Sequence, residues 1–129
     1  MKKLILIALI AYAPITFAEW KPIFTNKDGR EWFYDDAKFK SNGAYRDVWV
    51  LTSQSIPENY DGKEAKSRIN KYEFNCSSDK VKMLYSSVHS EAIGGGSLID
   101  LNDFSNKPLI FTIPPNTNLD AVKKFFCKK

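Results

Sequence analysis

Two cysteines, Cys76 and Cys127, stand 51 positions apart in a chain of 129 residues, and they constrain its fold more than any other feature. What they can do depends on the compartment. Residues 1–18 read as a secretory signal: Lys2 and Lys3, then an apolar run from Leu4 to Tyr12, a break at Pro14, and Ala18 as the small residue before a cut. In an oxidising compartment two cysteines allow one pairing, a Cys76–Cys127 disulfide. Closing a loop of that length stabilises the fold by about 4 kcal/mol in the chain-entropy model. A metal-binding or reactive pair is the alternative, but no CxxC spacing and no histidine cluster accompany them.

Removing residues 1–18 leaves 111 residues, 19–129, enough for one domain with one core. At 43% hydrophobic and 14% aromatic the chain is neither disordered nor low-complexity. It has no internal repeat, and past the signal no apolar run reaches the ~20 residues of a transmembrane span. The formal charge is +4, falling to +2 when Lys2 and Lys3 leave. Lys123, Lys124, Lys128 and Lys129 against Asp120 put +3 in the last eleven residues. That is a basic end rather than a broad basic footprint, and it argues against nucleic acid.

The remainder reads as short strands followed by one helix. Glu31–Asp35 is strand-like after the turn signal Asp28-Gly29, and Ser41-Asn42-Gly43 marks another turn. Val48-Trp49-Val50-Leu51 is apolar on both parities, as a strand covered on both faces would be, or one with an aromatic exposed for contact. Residues 54–66 are polar, contain Pro57 and the turn Asn59-Tyr60-Asp61-Gly62, and read as a loop. Tyr72, Phe74 and Cys76 then alternate with polar residues, and Val81, Met83 and Tyr85 do the same after Ser77-Ser78-Asp79. Cys76 therefore shares a face with Phe74. Gly94-Gly95-Gly96 reads as a hairpin tip, since the supporting residues of a phosphate loop are missing. Leu109–Ile113 is a last strand closed by Pro114-Pro115.

The tail predicts a helix capped by Thr117, with Asp120 three residues on and an apolar stripe of Leu119, Val122, Phe125 and Phe126. The fold class is α+β: an antiparallel sheet of about six strands with one C-terminal helix tethered to one face by Cys76–Cys127. The helix covers only one face. Trp49 and Leu51 lie opposite Val48 and Val50, so one pair points away from it, toward a dimer interface or a ligand surface.

Signals for catalysis are thin. His89 is the only histidine, and Ser87 shares its strand face, but no nucleophile-elbow pattern accompanies them. Asp35, Asp36 and Asp47 do not approach a calcium-loop spacing. No metal or cofactor is expected. Trp20, Trp32, Trp49 and several tyrosines are mostly core material, and any left on the outer face would anchor a partner.

Glu31-Trp32-Phe33-Tyr34-Asp35, Arg46-Asp47-Val48-Trp49-Val50-Leu51, Lys71-Tyr72-Glu73-Phe74-Asn75-Cys76, and Ile113-Pro114-Pro115 before a helix ending Phe125-Phe126-Cys127 together carry a resemblance. From about Trp20 to Cys127 the chain resembles the surface-adhesin protein E family. The resemblance implies antiparallel strands with a disulfide-held helix on the concave face, members that can dimerise, and binding of host matrix and plasma proteins such as vitronectin, laminin and plasminogen. It also implies a lipid on an N-terminal cysteine. Here Ala18-Glu19 stand at the cut and no cysteine precedes Cys76, so no lipid anchor is expected and the product is expected in the periplasm, with the cell surface or medium as alternatives.

Three functions follow from these residues. The first is a non-catalytic binding domain using Trp49 or the basic end of Lys123, Lys124, Lys128 and Lys129. The second is a periplasmic protein of structural or inhibitor type with no host ligand. The third is a small hydrolase using His89.

Overall fold

The computed structural model describes residues 19–129; the signal read at residues 1–18 lies outside the described residues. Eight antiparallel strands form one sheet: β1 Trp20–Thr25, β2 Glu31–Asp35, β3 Lys40–Asn42, β4 Tyr45–Tyr60, β5 Lys63–Asn75, β6 Lys80–His89, β7 Leu98–Asp103 and β8 Leu109–Thr112. The widest path is six strands, β1-β2-β4-β5-β6-β7, and β3 and β8 extend it. Two of the long strands, β4 and β6, each border two short ones, and the third, β5, lies between them. β4 pairs with β3 over Tyr45–Asp47 and with β2 over Val50–Ser53, and β6 is shared in the same way between β8 and β7.

The loop expected over residues 54–66 is instead the far end of the β4–β5 hairpin. Pairing resumes at Glu58↔Ala65 and runs to Tyr60↔Lys63, after a bulge between Ser53 and Glu58. Pro57 falls within the bulge, where its missing N–H breaks no ladder bond. Asp61 and Gly62 turn the chain with φ of 52° and 83°, the left-handed pair of a tight hairpin. Long-range polar contacts hold this arm extended. Arg68 bridges Glu58 at 2.7 Å, and the Tyr60 hydroxyl donates to Asp100 at 2.5 Å.

The helix, α1 (Asn118–Cys127), lies on one face. Ten residues are too few for a stable isolated helix, so its capping and packing decide it. Thr117 Oγ1 accepts from the Asp120 N–H at 3.2 Å, and the Asp120 carboxylate accepts from the Asn116 N–H at 3.0 Å. Beneath it Val48, Val50, Tyr72, Phe74 and Val81 meet Val122 and Phe126 in the core. Phe126 is fully buried, stacked on Phe39 at 5.3 Å and met edge-on by Tyr34 at 5.1 Å. Burial of a side chain this size contributes about 1.5–3 kcal/mol. Cys76 follows Phe74 on the same face by strand alternation and is bonded to Cys127, with Cα atoms 5.7 Å apart. This is the tether expected from the sequence.

Candidate functional site

The face of the sheet away from α1 carries the site. Period-two alternation sends Val48 and Val50 to the helix and Trp49 to the opposite side. The register sets Trp49 beside Lys71, and Lys71 beside Tyr85, so three adjacent strands present one residue each. The Trp49 and Tyr85 rings lie 5.0 Å apart, tilted by 60°. The Lys71 ammonium is 5.6 Å from the Trp49 ring centroid, and the Lys38 ammonium is 5.1 Å from it. Each such cation–π contact at an accessible site is worth about 0.5–1 kcal/mol.

Lys38 is placed by Asp35. The Asp35 carboxylate is buried and accepts from the backbone N–H groups of Glu19, at 3.2 Å, and Ala37, at 3.1 Å. Its carbonyl accepts from the Lys38 N–H at 3.2 Å. These bonds shape the turn after β2 that carries Lys38 over the indole. Two clefts result. One, of about 290 Å³, is walled by Trp20, Trp49, Ile69 and Tyr85 with Asp35 and Lys38. The other, of about 240 Å³, is lined by Lys38, Lys40, Asp47, Trp49 and Lys71 beside Ala37. Lys38 and Trp49 belong to both.

Leu51 shares this face with Trp49 yet is fully buried. The segment 91–96, which includes a single 3₁₀ turn at Ala92–Gly94, covers it. Ser67 Oγ donates to the Glu91 carbonyl at 2.6 Å and accepts from the Gly94 N–H at 2.9 Å, while Ser53 Oγ accepts from the Ile93 N–H at 3.1 Å. The second face is therefore closed at one end and open around Trp49.

The four C-terminal lysines sit on α1 and beyond it, on the other side of the sheet from Trp49. Lys124 pairs with Asp120 at 3.0 Å, and this hydrogen bond, more than that from Asn116, holds the Asp120 carboxyl below the usual carboxylate range. Lys123 donates to the Ser78 carbonyl. The Lys129 ammonium lies 5.5 Å from the Tyr34 ring and 5.2 Å from Phe125. Lys128, at the C-cap, is exposed.

Ser87 Oγ lies 2.8 Å from His89 Nε2, but Ser87 is only 1% exposed. Burial pushes the imidazole below its ordinary value, and among the described residues no carboxylate orients its other nitrogen. A nucleophile needs substrate access, a base and an orienting group together, and this pair lacks the first and the last. Among the described residues no group of three His, Cys, Asp or Glu could hold a metal ion, and no helix is long and apolar enough to cross a membrane.

A family model described as surface-adhesin protein E matches residues 20–128. The chain belongs to the surface-adhesin protein E family. Among solved structures it is similar to Haemophilus influenzae protein E, with 13% identity, a TM-score of 0.56, and 90% of each chain covered. A selenomethionine form of the same protein gives 14% identity and a TM-score of 0.61 over 91% of this chain and 93% of that one. Protein E from non-typeable Haemophilus influenzae gives 14% and 0.55, over 90% and 81%. At these identities the likeness is one of fold. No curated protein sequence matches.

The stretches that carry the adhesin-E resemblance turn out to be mostly core: Tyr34, Val48, Val50, Tyr72, Phe74 and Phe126 are all buried against one another. They specify the family's fold and contribute to the two clefts through Asp35, Asp47, Trp49 and Lys71. Lys38, Lys40, Trp20, Ile69 and Tyr85 enter the site from separate segments. Alternation alone groups Tyr85 with Val81 and Met83 on the helix face; a bulge at Leu84, between the pairs Tyr72↔Met83 and Lys71↔Tyr85, turns Tyr85 to the face of Lys71 instead.

Proposed function

We propose that this adhesin-E domain is an exported, non-catalytic protein-binding module that engages its ligand on the sheet face opposite α1. The observation that carries the reading is Trp49: a half-buried tryptophan on a central strand, bordered by Tyr85, Lys38 and Lys71 and lining two clefts on the face that the only α-helix among the described residues does not cover. Tryptophan and tyrosine dominate the energetics of protein interfaces, and a sheet face with no helix over it exposes them. The burial of Ser87 argues against a hydrolase.

The test takes residues 19–129 with the disulfide formed and measures binding to immobilised vitronectin, laminin and plasminogen. The wild type is expected to bind at least one of them, and Trp49→Ala to weaken that binding while Lys124→Ala leaves it unchanged. Equal binding by wild type and Trp49→Ala, or loss on Lys124→Ala alone, would move the site to the helix. Protease treatment of intact cells locates the domain: cleavage, with a periplasmic marker protected, places it outside, and protection places it in the periplasm.

A homodimer is a second partner reading, favoured by Leu98, Leu101, Leu109 and Ile110, which are 53%, 47%, 47% and 62% exposed on the edge strands β7 and β8. Sedimentation of wild type against Leu101→Lys/Ile110→Lys decides it.

A further inference from the structure

The two clefts that meet at Trp49 differ in chemistry. The larger is walled by Trp20, Ile69, Tyr85 and the indole itself. The smaller is lined by three lysines and one carboxylate, Asp47. Elsewhere on the chain Lys21, Lys66, Lys82 and Lys124 each stand within 4 Å of a carboxylate. Among the described residues Lys38, Lys40 and Lys71 have no such partner; Lys38 and Lys71 rest over Trp49 instead. The lining of the two clefts sets three lysines against Asp35 and Asp47, a formal +1, with Asp103 at the margin, its carboxyl lowered first by the Ser105 backbone and in part by the charge of Lys71. Asp35 is buried and spends its oxygen on backbone N–H groups, so the accessible excess lies at the ammoniums.

We propose that this pair of clefts recognises a peptide segment of a protein partner in which a large apolar side chain stands beside an acidic one, the apolar group seated between Trp20, Ile69 and Tyr85 and the carboxylate held by Lys38, Lys40 and Lys71. The proposal rests on the protein-binding reading above and gives it a ligand chemistry. Trp49 does two things here. It forms the wall between the halves, and it holds two lysine side chains near one point, which lowers the entropy lost when they grip a carboxylate. A carboxylate reaching these lysines would complete ion pairs that the chain itself leaves unmade. An acidic polysaccharide fits less well. It asks for cations spaced along a track, and its hydroxyls would be desolvated against Ile69 and Tyr85 without partners. The lysines here gather round one ring, with an apolar cleft on one side only.

The experiment is selection of a randomised heptapeptide phage library on the oxidised 19–129 domain, with counter-selection on Lys38→Glu/Lys71→Glu. Lys27→Glu/Lys63→Glu, an equal charge change in an exposed turn and at the exposed start of β5, serves as control. Enriched peptides are expected to place Asp or Glu next to Phe, Trp, Leu or Met. Their affinity should fall at least about tenfold on Lys38→Glu/Lys71→Glu and on Trp49→Ala, fall with salt between about 0.1 and 1 M, and hold in the control. Trp49→Ala could fail to fold, but the lysine variant changes only side chains that reach solvent. Circular dichroism and thiol titration verify both. Enriched peptides without acidic residues, equal loss in the control, no enrichment at all, or capture of heparin but no peptide through Lys38 and Lys71 would overturn the proposal. The two readings fail separately. Matrix-protein binding that survives Lys38→Glu/Lys71→Glu removes this site and leaves the binding module. Peptide capture without any matrix-protein binding leaves the site and removes the host ligands.

Discussion

The guanidinium of Arg46 donates from Nε to the carbonyl oxygen of Phe126, 3.2 Å away and 80 positions along the chain. Nη2 reaches the Lys129 carbonyl at 3.3 Å, and Nη1 the carbonyls of Gly43 and Tyr45 at 2.7 and 3.0 Å. Arg46 is buried, and among the described residues it has no carboxylate within 4 Å; its acceptors are all backbone oxygens. One of them, Phe126, lies in the last turn of α1 and another, Lys129, just beyond it, at the negative end of the helix dipole; the Phe126 carbonyl also accepts from the Lys129 N–H at 3.1 Å. One side chain of β4 thus satisfies the helix terminus and the β3–β4 turn together, directly beside the disulfide.

Arg46→Met should therefore cost on the order of 3 kcal/mol, because four hydrogen bonds from a charged group are lost, one of them buried. Arg46→Lys should recover only part of this, since an ammonium cannot span the same set of acceptors. Urea unfolding of the three proteins with the disulfide intact checks the order. Equal midpoints for wild type and Arg46→Met would show that water satisfies those carbonyls as well.

The tether gives a second prediction. Cys76→Ser/Cys127→Ser frees a loop of 51 positions and should lower stability by about 4 kcal/mol. The helix should nevertheless stay docked below the transition, because Phe126 remains fully buried and Arg46 still holds the last turn. Near-ultraviolet circular dichroism of the double variant, compared with its urea midpoint, separates lost stability from a lost fold. A flat near-ultraviolet spectrum without urea would mean that the bridge is needed for docking itself.

Local periodicity made part of this legible in the sequence. Alternation in β5 and β6 set Phe74 and Cys76 on one face, and Thr117 with the stripe ending at Phe126 marked the helix. Residues 58–60 escaped because their strand is polar on both sides and follows Pro57. What holds them is Arg68 on Glu58 and Asp100 on Tyr60, partners that no local pattern announces. β1 escaped for a related reason: Pro22 weakens any strand pattern and is tolerated here because β1 is an edge strand paired only with β2. At the site, Trp49 could be singled out from its type and parity. Its neighbours come from β1, the turn after β2, β5 and β6, so only the register brings them together.

The segment over Leu51 depends on Gly96. Its φ is +72°, and a Cβ there would lie 2.2 Å from Ser90 Oγ and 2.6 Å from Glu91 Cγ. Gly96→Ala should therefore cost on the order of 1–3 kcal/mol by strain and overlap. The effect should be local. Amide exchange at Ile93 and Gly94, whose N–H groups are bonded to Ser53 and Ser67, should accelerate, while Val48 and Phe74 keep their protection. Uniform acceleration across the sheet would show that the segment folds as one unit with the core.

His89 gives the pH dependence its sign. Burial lowers its folded value below the roughly 6.5 of a free imidazole. Between the two values the unfolded chain holds a proton that the native protein refuses, so stability rises with pH across that window. The contribution is complete above about 6.5 and is lost as pH falls through the folded value. Asp36, Asp100, Asp103 and Asp120 are lowered as well, each first by a hydrogen bond: from Lys21, Tyr60, the Ser105 backbone and Lys124. Their contributions are complete above the free carboxylate value of about 4 and disappear below it, so the loss from His89 sets in at a higher pH than theirs. Urea midpoints should therefore fall in two steps on acidification. His89→Gln, which can keep a bond to Ser87 without titrating, should remove the upper step and leave the lower. An upper step that persists in His89→Gln would assign it to another group.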